Sequence, residues 1–285
     1  MAGILYVVAT PIGNLEDVTL RALRILREVS LIAAEDTRRT ARLLQHYSIS
    51  TRTTSLHAHN EHAKTRDLID RLKAGESIAL VSDAGTPTVS DPGSELVSRA
   101  RDAGIRVEAI PGASAVMAAL SASGWGSDGF AFLGFPPHRS NARVRWLRET
   151  LDIGRLTVIF ESPHRLPQTL ADLEALLGGD HVIGVGRELT KTHQELVVGP
   201  ISEAIRRFRE PRGEFTLLIP PAASSSSATG EQPTAESLRI ELGRMTESKG
   251  FRKREALKTL AARYGMSVNA LYRLLERGDD DGQKT

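Results

Sequence analysis

Short runs of consecutive apolar residues alternate along this chain with longer stretches in which apolar positions recur every three or four residues. Residues 5–9, 31–34, 78–81 and 107–110 are runs of the first kind. Each is too short for a helix and too continuous for a half-exposed strand, so each predicts a strand buried on both faces. Between the first two, Leu20, Leu23, Ile25, Leu26 and Val29 recur at helical spacing. Further helices are expected over 37–46, 60–74 and 94–103, and an Ala-rich one begins at the Pro111-Gly112-Ala113-Ser114-Ala115 turn. Strand and helix in alternation predict a mostly parallel sheet with helices on both faces.

The pattern changes at residues 121–129, where Gly and Ser accumulate, and resumes as a second α/β lobe. Its expected strands cover 130–133, 156–160, 182–185, 196–198 and 215–219, with helices starting near 143, 166 and 202. A Ser-rich stretch with too little apolar content to pack follows Pro220 and reads as a flexible linker. Three short amphipathic helices are then expected near 235–245, 253–264 and 268–277. Tyr264-Gly265-Met266-Ser267 joins the last two, a Gly turn with Ser as N-cap of the kind a helix-turn-helix needs. The expected organisation is therefore an α/β domain over 1–122, a second over 123–220, a linker over 221–235, and a basic helical domain over 236–285 with a disordered tail.

Composition narrows the function classes. The chain has 285 residues and no Cys, which excludes a disulfide framework, a thiolate metal site and a Cys nucleophile. No apolar run approaches the roughly 20 residues that cross a bilayer, so no membrane role and a cytoplasmic location are expected. The net charge of +2 is unevenly spread. Residues 236–277 hold ten Lys or Arg against five Glu, a net of +5, which points to an anionic partner for that end.

Candidate chemistry gathers where strands empty into loops. The apolar run at 78–81 leads into Ser82–Gly93, which holds two Gly, two Pro and two Asp. Asp83 and Asp91 would place carboxylates at the rim of the sheet, and Gly85 and Gly93 would let backbone approach a ligand. Glu35 and Asp36 leave the strand at 31–34 in the same way. PGASA at 111–115, FESPHR at 160–165 and GRELTK at 186–191 also begin at strand ends, and the four sites come from both lobes, as an interdomain small-molecule cleft requires. The chain has no GxGxxG after its first strand, no GxxxxGK[ST] and no HExxH, which argues against dinucleotide, P-loop and zinc-protease chemistry. His57, His59 and His62 have metal-ligating side chains but no convincing fourth ligand, and read as polar contacts at a helix start, so no metal is expected.

Taken in order, Pro11–Asn14, SDAGTP at 82–87 with Asp91–Gly93, PGASA, ESPHR, ELTK and GEFTLLI at 213–219 resemble the tetrapyrrole methylase superfamily. The resemblance covers residues 4–220 and is strongest to the ribosomal RNA small subunit methyltransferase I branch, whose C-terminal domain the basic helical tail resembles. It implies a class III methyltransferase fold, a homodimer, and S-adenosylmethionine held between the lobes. It also implies methylation of a cytidine ribose 2′-hydroxyl in 16S rRNA, free or in the small ribosomal subunit, at the P site. Carried over by position, donor contacts fall on Pro11, Ser82, Asp83, Ala84, Val89, Ser114, Ala115, Phe160, Leu189, Gly213, Glu214, Phe215 and Thr216.

Methyl transfer to a neutral hydroxyl needs alignment and a base. The cleft offers Asp36, Glu161, Glu188 and Lys191. Glu188 is preferred, with Lys191 and Arg165 polarising the ribose or holding phosphate; a structural ion pair is the competing reading of Glu188 and Arg165. Arg139, Arg143, Arg145 and Arg148, together with Lys249, Arg252, Lys253, Arg254 and Lys258, are expected to bind RNA phosphates. Two other functions stay open: a methylase of a small tetrapyrrole or of a modified protein side chain, and a nucleic-acid-binding regulator that senses a metabolite.

Overall fold

Neighbouring residues of the apolar strands face opposite ways, and both faces are covered. The computed structural model describes residues 2–125, 129–221, 235–247, 253–263 and 266–277. Strands β1 (Ile4–Val8), β2 (Leu31–Ala34), β3 (Thr53–Ser55), β4 (Ile78–Val81) and β5 (Arg106–Ile110) form a five-stranded sheet in the order β3-β2-β4-β1-β5, parallel throughout. Ile32 and Ala34 of β2 and Ala79 and Val81 of β4 bury against helix α1 (Leu20–Glu28) and Leu44 of α2 (Thr37–His46). Leu31, Ala33, Ile78 and Leu80 bury on the other face, beneath α3 (Glu61–Lys73) and α4 (Ser94–Asp102). Continuous apolar runs are what a sheet covered on both sides requires. The polar edge strand β3 has no such run, so its sequence does not announce it; pairing with β2 creates it.

The second sheet, β6 (Phe130–Phe132), β7 (Leu156–Glu161), β8 (Val182–Arg187), β9 (Glu195–Pro200) and β10 (Phe215–Ile219), runs in the order β6-β7-β10-β8-β9. Only β6 and β7 are parallel; the other pairs are antiparallel. Helices α6 (Ser140–Leu151), α7 (Leu166–Leu177) and α8 (Ile201–Arg207) cover one face through Leu147, Leu170 and Ile201. The other face is covered by α5 (Ala115–Ser123), whose Val116, Ala119 and Leu120 pack on Leu156, Val158 and Leu218. A boundary at residue 122 puts this helix with the first lobe, whereas its apolar side belongs to the core of the second. Helix α5 thus ties the lobes together, and Met1–Ala222 is one compact unit.

The loop after β4 depends on Gly93, which has φ +113 and where a Cβ would stand 2.6 Å from Leu80 Cδ2. Gly93→Ala is therefore expected to cost about 1–3 kcal/mol, read as a lower urea midpoint with an unchanged slope.

Residues 223–285 form a separate unit. Its helices α9 (Ala235–Glu247), α10 (Lys253–Arg263) and α11 (Val268–Arg277) share a core of Leu238, Leu257, Leu260 and Leu271. Ser267 Oγ accepts from Ala270 N at 3.1 Å, the N-cap expected for the last helix. Among the described residues no helix is long and apolar enough to cross a membrane.

Candidate active site

All strands of the first sheet point the same way, so the loops after β1, β2, β4 and β5 leave from one edge. Thr10 and Gly85 join two of these loops by exchanging backbone hydrogen bonds of 2.9 and 3.0 Å, and Thr10 Oγ1 donates to Ser82 O at 3.1 Å. A Cβ on Gly85, at φ +82, would lie 3.3 Å from Ile12 Cγ2, so the loops meet as closely as backbone allows. Ser114 caps α5, its Oγ accepting from Met117 N at 3.4 Å. Facing this edge are the ends of β7 and β8 and the start of β10. Between them lies a pocket of about 420 Å³ lined from both lobes.

Ten of the thirteen residues assigned to the donor line this pocket: Asp83, Ala84, Val89, Ser114, Ala115, Phe160, Leu189, Glu214, Phe215 and Thr216. Pro11, Ser82 and Gly213 do not line it. Ser82 is buried behind the loop it shapes, and Gly213 turns at φ +88 against Glu188. Among the described residues, four of the five non-glycine residues with positive φ flank the pocket: Thr88 and Ser90 on one lobe, Glu188 and Thr190 on the other. Backbone strain of this kind is held in place by the surrounding fold and concentrates at functional sites.

The expected catalytic groups are mostly spent on one another. Lys191 Nζ lies 2.7 Å from Glu188 Oε1 and 3.0 Å from Glu214 Oε2, and Glu188 also accepts from Glu214 N at 2.9 Å. Burial opposes the Glu188 charge, but Lys191 and the backbone donor outweigh it and hold the carboxyl below its ordinary range. Glu188 is thus a poor proton acceptor, and Lys191 has no spare charge for the ribose. Neither lines the pocket. Asp36 caps α2, accepts from Arg38 N at 2.8 Å, and is held well below the carboxylate range by Arg38. Glu161 is fully buried. It pairs with Arg165 at 2.8 Å and accepts from Thr169 Oγ1 at 2.7 Å and Ser162 N at 2.8 Å. Arg165 therefore does not form the ion pair with Glu188 that the competing reading expects: its partner is Glu161, while Glu188 pairs with Lys191.

The carboxyls that remain are Glu35 and Asp91, and both line the pocket. Glu35 Oε2 accepts from Asp83 N at 3.3 Å, while Asp83 accepts from Asp36 N at 3.0 Å and lies 3.4 Å from Arg39 Nη1. Burial raises the Glu35 carboxyl above its usual value. Burial, with the charges of Glu35 and Asp83 adding to it, pushes Asp91 up to about 6, against the opposing Ser82 hydroxyl. Asp91 has no cationic partner among the described residues. Glu35 follows β2 directly and Asp91 precedes a Pro-Gly turn, so the sequence places both at the rim; what it does not show is which neighbouring acids are neutralised.

Arg139, Arg145 and Arg148 are exposed. Arg143 is not available for RNA: it is buried, with Nε 2.6 Å from Asp172 Oδ2. Helical spacing turns its side chain away from those of Arg145 and Arg148. In the C-terminal unit Arg254 and Lys258 are exposed and Lys253 opens α10, whereas Lys249 and Arg252 lie outside the described residues. Of the histidines, His62 Nδ1 is 2.9 Å from Glu95 Oε1, and among the described residues no group of three or more metal-ligating side chains converges.

A parallel lobe and a mixed lobe closing on one pocket make a two-lobed α/β protein with a small-molecule cleft. The model of the Tetrapyrrole (Corrin/Porphyrin) Methylases family matches residues 4–205, and the chain belongs to that family, within it alongside the proteins named ribosomal RNA small subunit methyltransferase I. The protein of that name from Synechocystis sp. is 45% identical over 282 residues, 98% of this chain and 100% of the relative. The one from Vibrio cholerae is 45% identical over 276 residues, 95% and 94% of the two chains. Among solved structures, a diphthine synthase superposes with a TM-score of 0.61 at 18% identity, over 76% of this chain and 90% of that one. A uroporphyrin-III-C-methyltransferase from Thermus thermophilus superposes at 0.54 with 20% identity, over 76% and 94%. These likenesses show the fold. The methyl donor of the family is S-adenosylmethionine.

Proposed function

We propose that this chain transfers a methyl group from S-adenosylmethionine to the ribose 2′-hydroxyl of a cytidine in 16S rRNA, at the P site of the small ribosomal subunit. It acts as a cytoplasmic homodimer. The names of its relatives support the rRNA substrate, and the resemblance of its motifs supports the hydroxyl. The observation that carries the reading is a pocket that combines a donor-sized cleft with a carboxyl left without a cation.

The residues present suit the donor. A volume of about 420 Å³ lies within the usual range of small-molecule sites, about 300–1,000 Å³. Phe160, Val89 and Leu189 offer apolar surface to a flat heterocycle, the loops around Gly85 and Ser114 offer main-chain groups to polar atoms, and Asp83, Glu35 and Asp91 offer negative charge to a cation. Bound there, the sulfonium supplies an electrophilic methyl carbon. The chain's own work is to align the acceptor with it, exclude water and take a proton. We assign the proton to Asp91, whose raised affinity for it suits a base working near neutrality.

Incubation of purified protein with labelled donor and unmodified small subunits, followed by mapping of the label, tests the reading. Label on one cytidine ribose is expected; label on a base or on protein, or no label, contradicts it. A metabolite-sensing regulator would bind donor without turnover. The exposed Arg139, Arg145 and Arg148 favour a substrate whose negative charge extends well beyond the pocket, as a nucleic acid's does.

Deletion of residues 236–285 is expected to weaken binding to small subunits and to flatten its dependence on salt, because phosphate contacts are lost. Donor affinity should not change. Equal subunit binding with and without the segment would remove it from the RNA interface.

A further inference from the structure

Phe135 is 51% exposed, yet it lines the pocket. The ladder of the second sheet runs on past β6: Leu133 N donates to Val158 O at 3.1 Å and Phe160 N to Gly134 O at 2.9 Å. Gly134 then turns at φ +68, where a Cβ would come within 3.0 Å of Ser90 Oγ on the other lobe. The chain leaves the sheet there and carries Phe135 to the pocket wall. One side of the ring is supported, with its centroid 5.5 Å from that of Phe160, which lies 4.8 Å from Phe132. The next residue is pinned as well: Arg165 Nη1 donates to Pro136 O at 2.9 Å, and Arg165 is fixed by the buried Glu161. Glu161 and Arg165, two of the catalytic candidates of the sequence, are therefore used to brace this lip.

Nothing in methyl-donor binding requires a large aromatic side chain half in solvent. The neighbouring surface suggests what does. His138 and Arg139 follow on the same loop and are exposed, and α6 continues with exposed Arg145 and Arg148. A rigid aromatic face beside a basic strip is the combination that holds unpaired nucleotides, since every base has a π-face to stack and a phosphate to neutralise.

We infer that Phe135 is the platform on which a nucleobase of the RNA acceptor stacks as its ribose enters the pocket. This rests on the proposed RNA methyl transfer and adds to it the residue that positions the acceptor. Arg139 is placed to take the adjoining phosphate.

The test uses the full chain as wild type and as Phe135→Leu and Phe135→Trp, with unmodified small subunits as the RNA probe. Three quantities are measured: direct subunit affinity, donor affinity by calorimetry, and the separate KM and kcat for subunits. Phe135→Leu keeps apolar bulk but loses the ring, and is expected to weaken subunit affinity and raise subunit KM roughly 10- to 100-fold. Its donor affinity should stay within about twofold. Phe135→Trp should restore subunit binding, with indole fluorescence quenched on addition of subunits. Wild-type subunit affinity in Phe135→Leu, or a loss confined to donor affinity, would overturn the inference. Absence of methyl transfer by the wild type would instead sink the functional reading, and the direct-binding arm would still decide the role of Phe135.

Discussion

Replacing Asp91 with Asn is expected to lower kcat by about 10²- to 10⁴-fold, the usual span for loss of a general base, while the donor still binds. The pH dependence gives the more specific signature. With a carboxyl pushed up to about 6 in the free protein, kcat/KM should fall roughly tenfold per pH unit below that value, because the protonated form cannot accept the acceptor's proton. A cation in the pocket favours the ionised form, so the same limb in kcat should lie at lower pH. Stability moves in the opposite sense. The folded carboxyl binds its proton more tightly than the unfolded one, whose ordinary value is 3.8. The native state therefore loses stability as pH rises from about 4 to about 6, and the ionised group destabilises the fold above that range. Asp91→Asn should accordingly raise Tm at pH 8 and have little effect at pH 4. A variant that keeps its turnover would remove Asp91 from the reaction.

The second large effect is on stability. Glu161→Gln leaves the Arg165 guanidinium, only 16% exposed, without its counter-charge, and breaking a buried pair from one side costs about 3–5 kcal/mol. Urea unfolding should show this as a large drop in midpoint. Were Glu161 instead the proton acceptor, the same substitution would leave the midpoint near wild type and abolish turnover in a well-folded protein. The buried Thr169 Oγ1 and the half-buried Ser162 N already occupy both Glu161 oxygens, which favours the first outcome.

These two residues show what the amino-acid order makes legible and what it hides. Strand ends were readable because apolar runs such as 78–81 stop abruptly at polar, Gly-rich loops, and parallel strands send those loops to one edge; the individual donor residues came from the resemblance of the motifs. Charge state was not readable. Glu161 closes β7, Glu188 follows β8 and Asp91 lies deep in the loop after β4; Lys191 and Arg165 stand only three and four residues from their partners, yet nothing in the sequence says that they turn toward them or that no cation among the described residues reaches Asp91. Arg143 was hidden for the same reason, since Asp172 reaches it from another helix. The allegiance of α5 was obscured because its Ala-rich sequence has no strongly one-sided apolar face, so nothing local says which sheet it covers. Strand β3 has no apolar signal at all. Periodicity reports burial, whereas strand pairing, as for β3, and the Arg143–Asp172 ion pair are decided by chain segments distant in sequence.

The central claim is that one cleft between two lobes takes the methyl donor, and calorimetric titration of S-adenosylmethionine into the full chain tests it most directly. The wild type should bind one equivalent, and Ala84→Trp, which fills the cleft from the first lobe, should bind none while keeping its circular dichroism spectrum. No uptake by the wild type, or undiminished uptake by the filled variant, would contradict the claim.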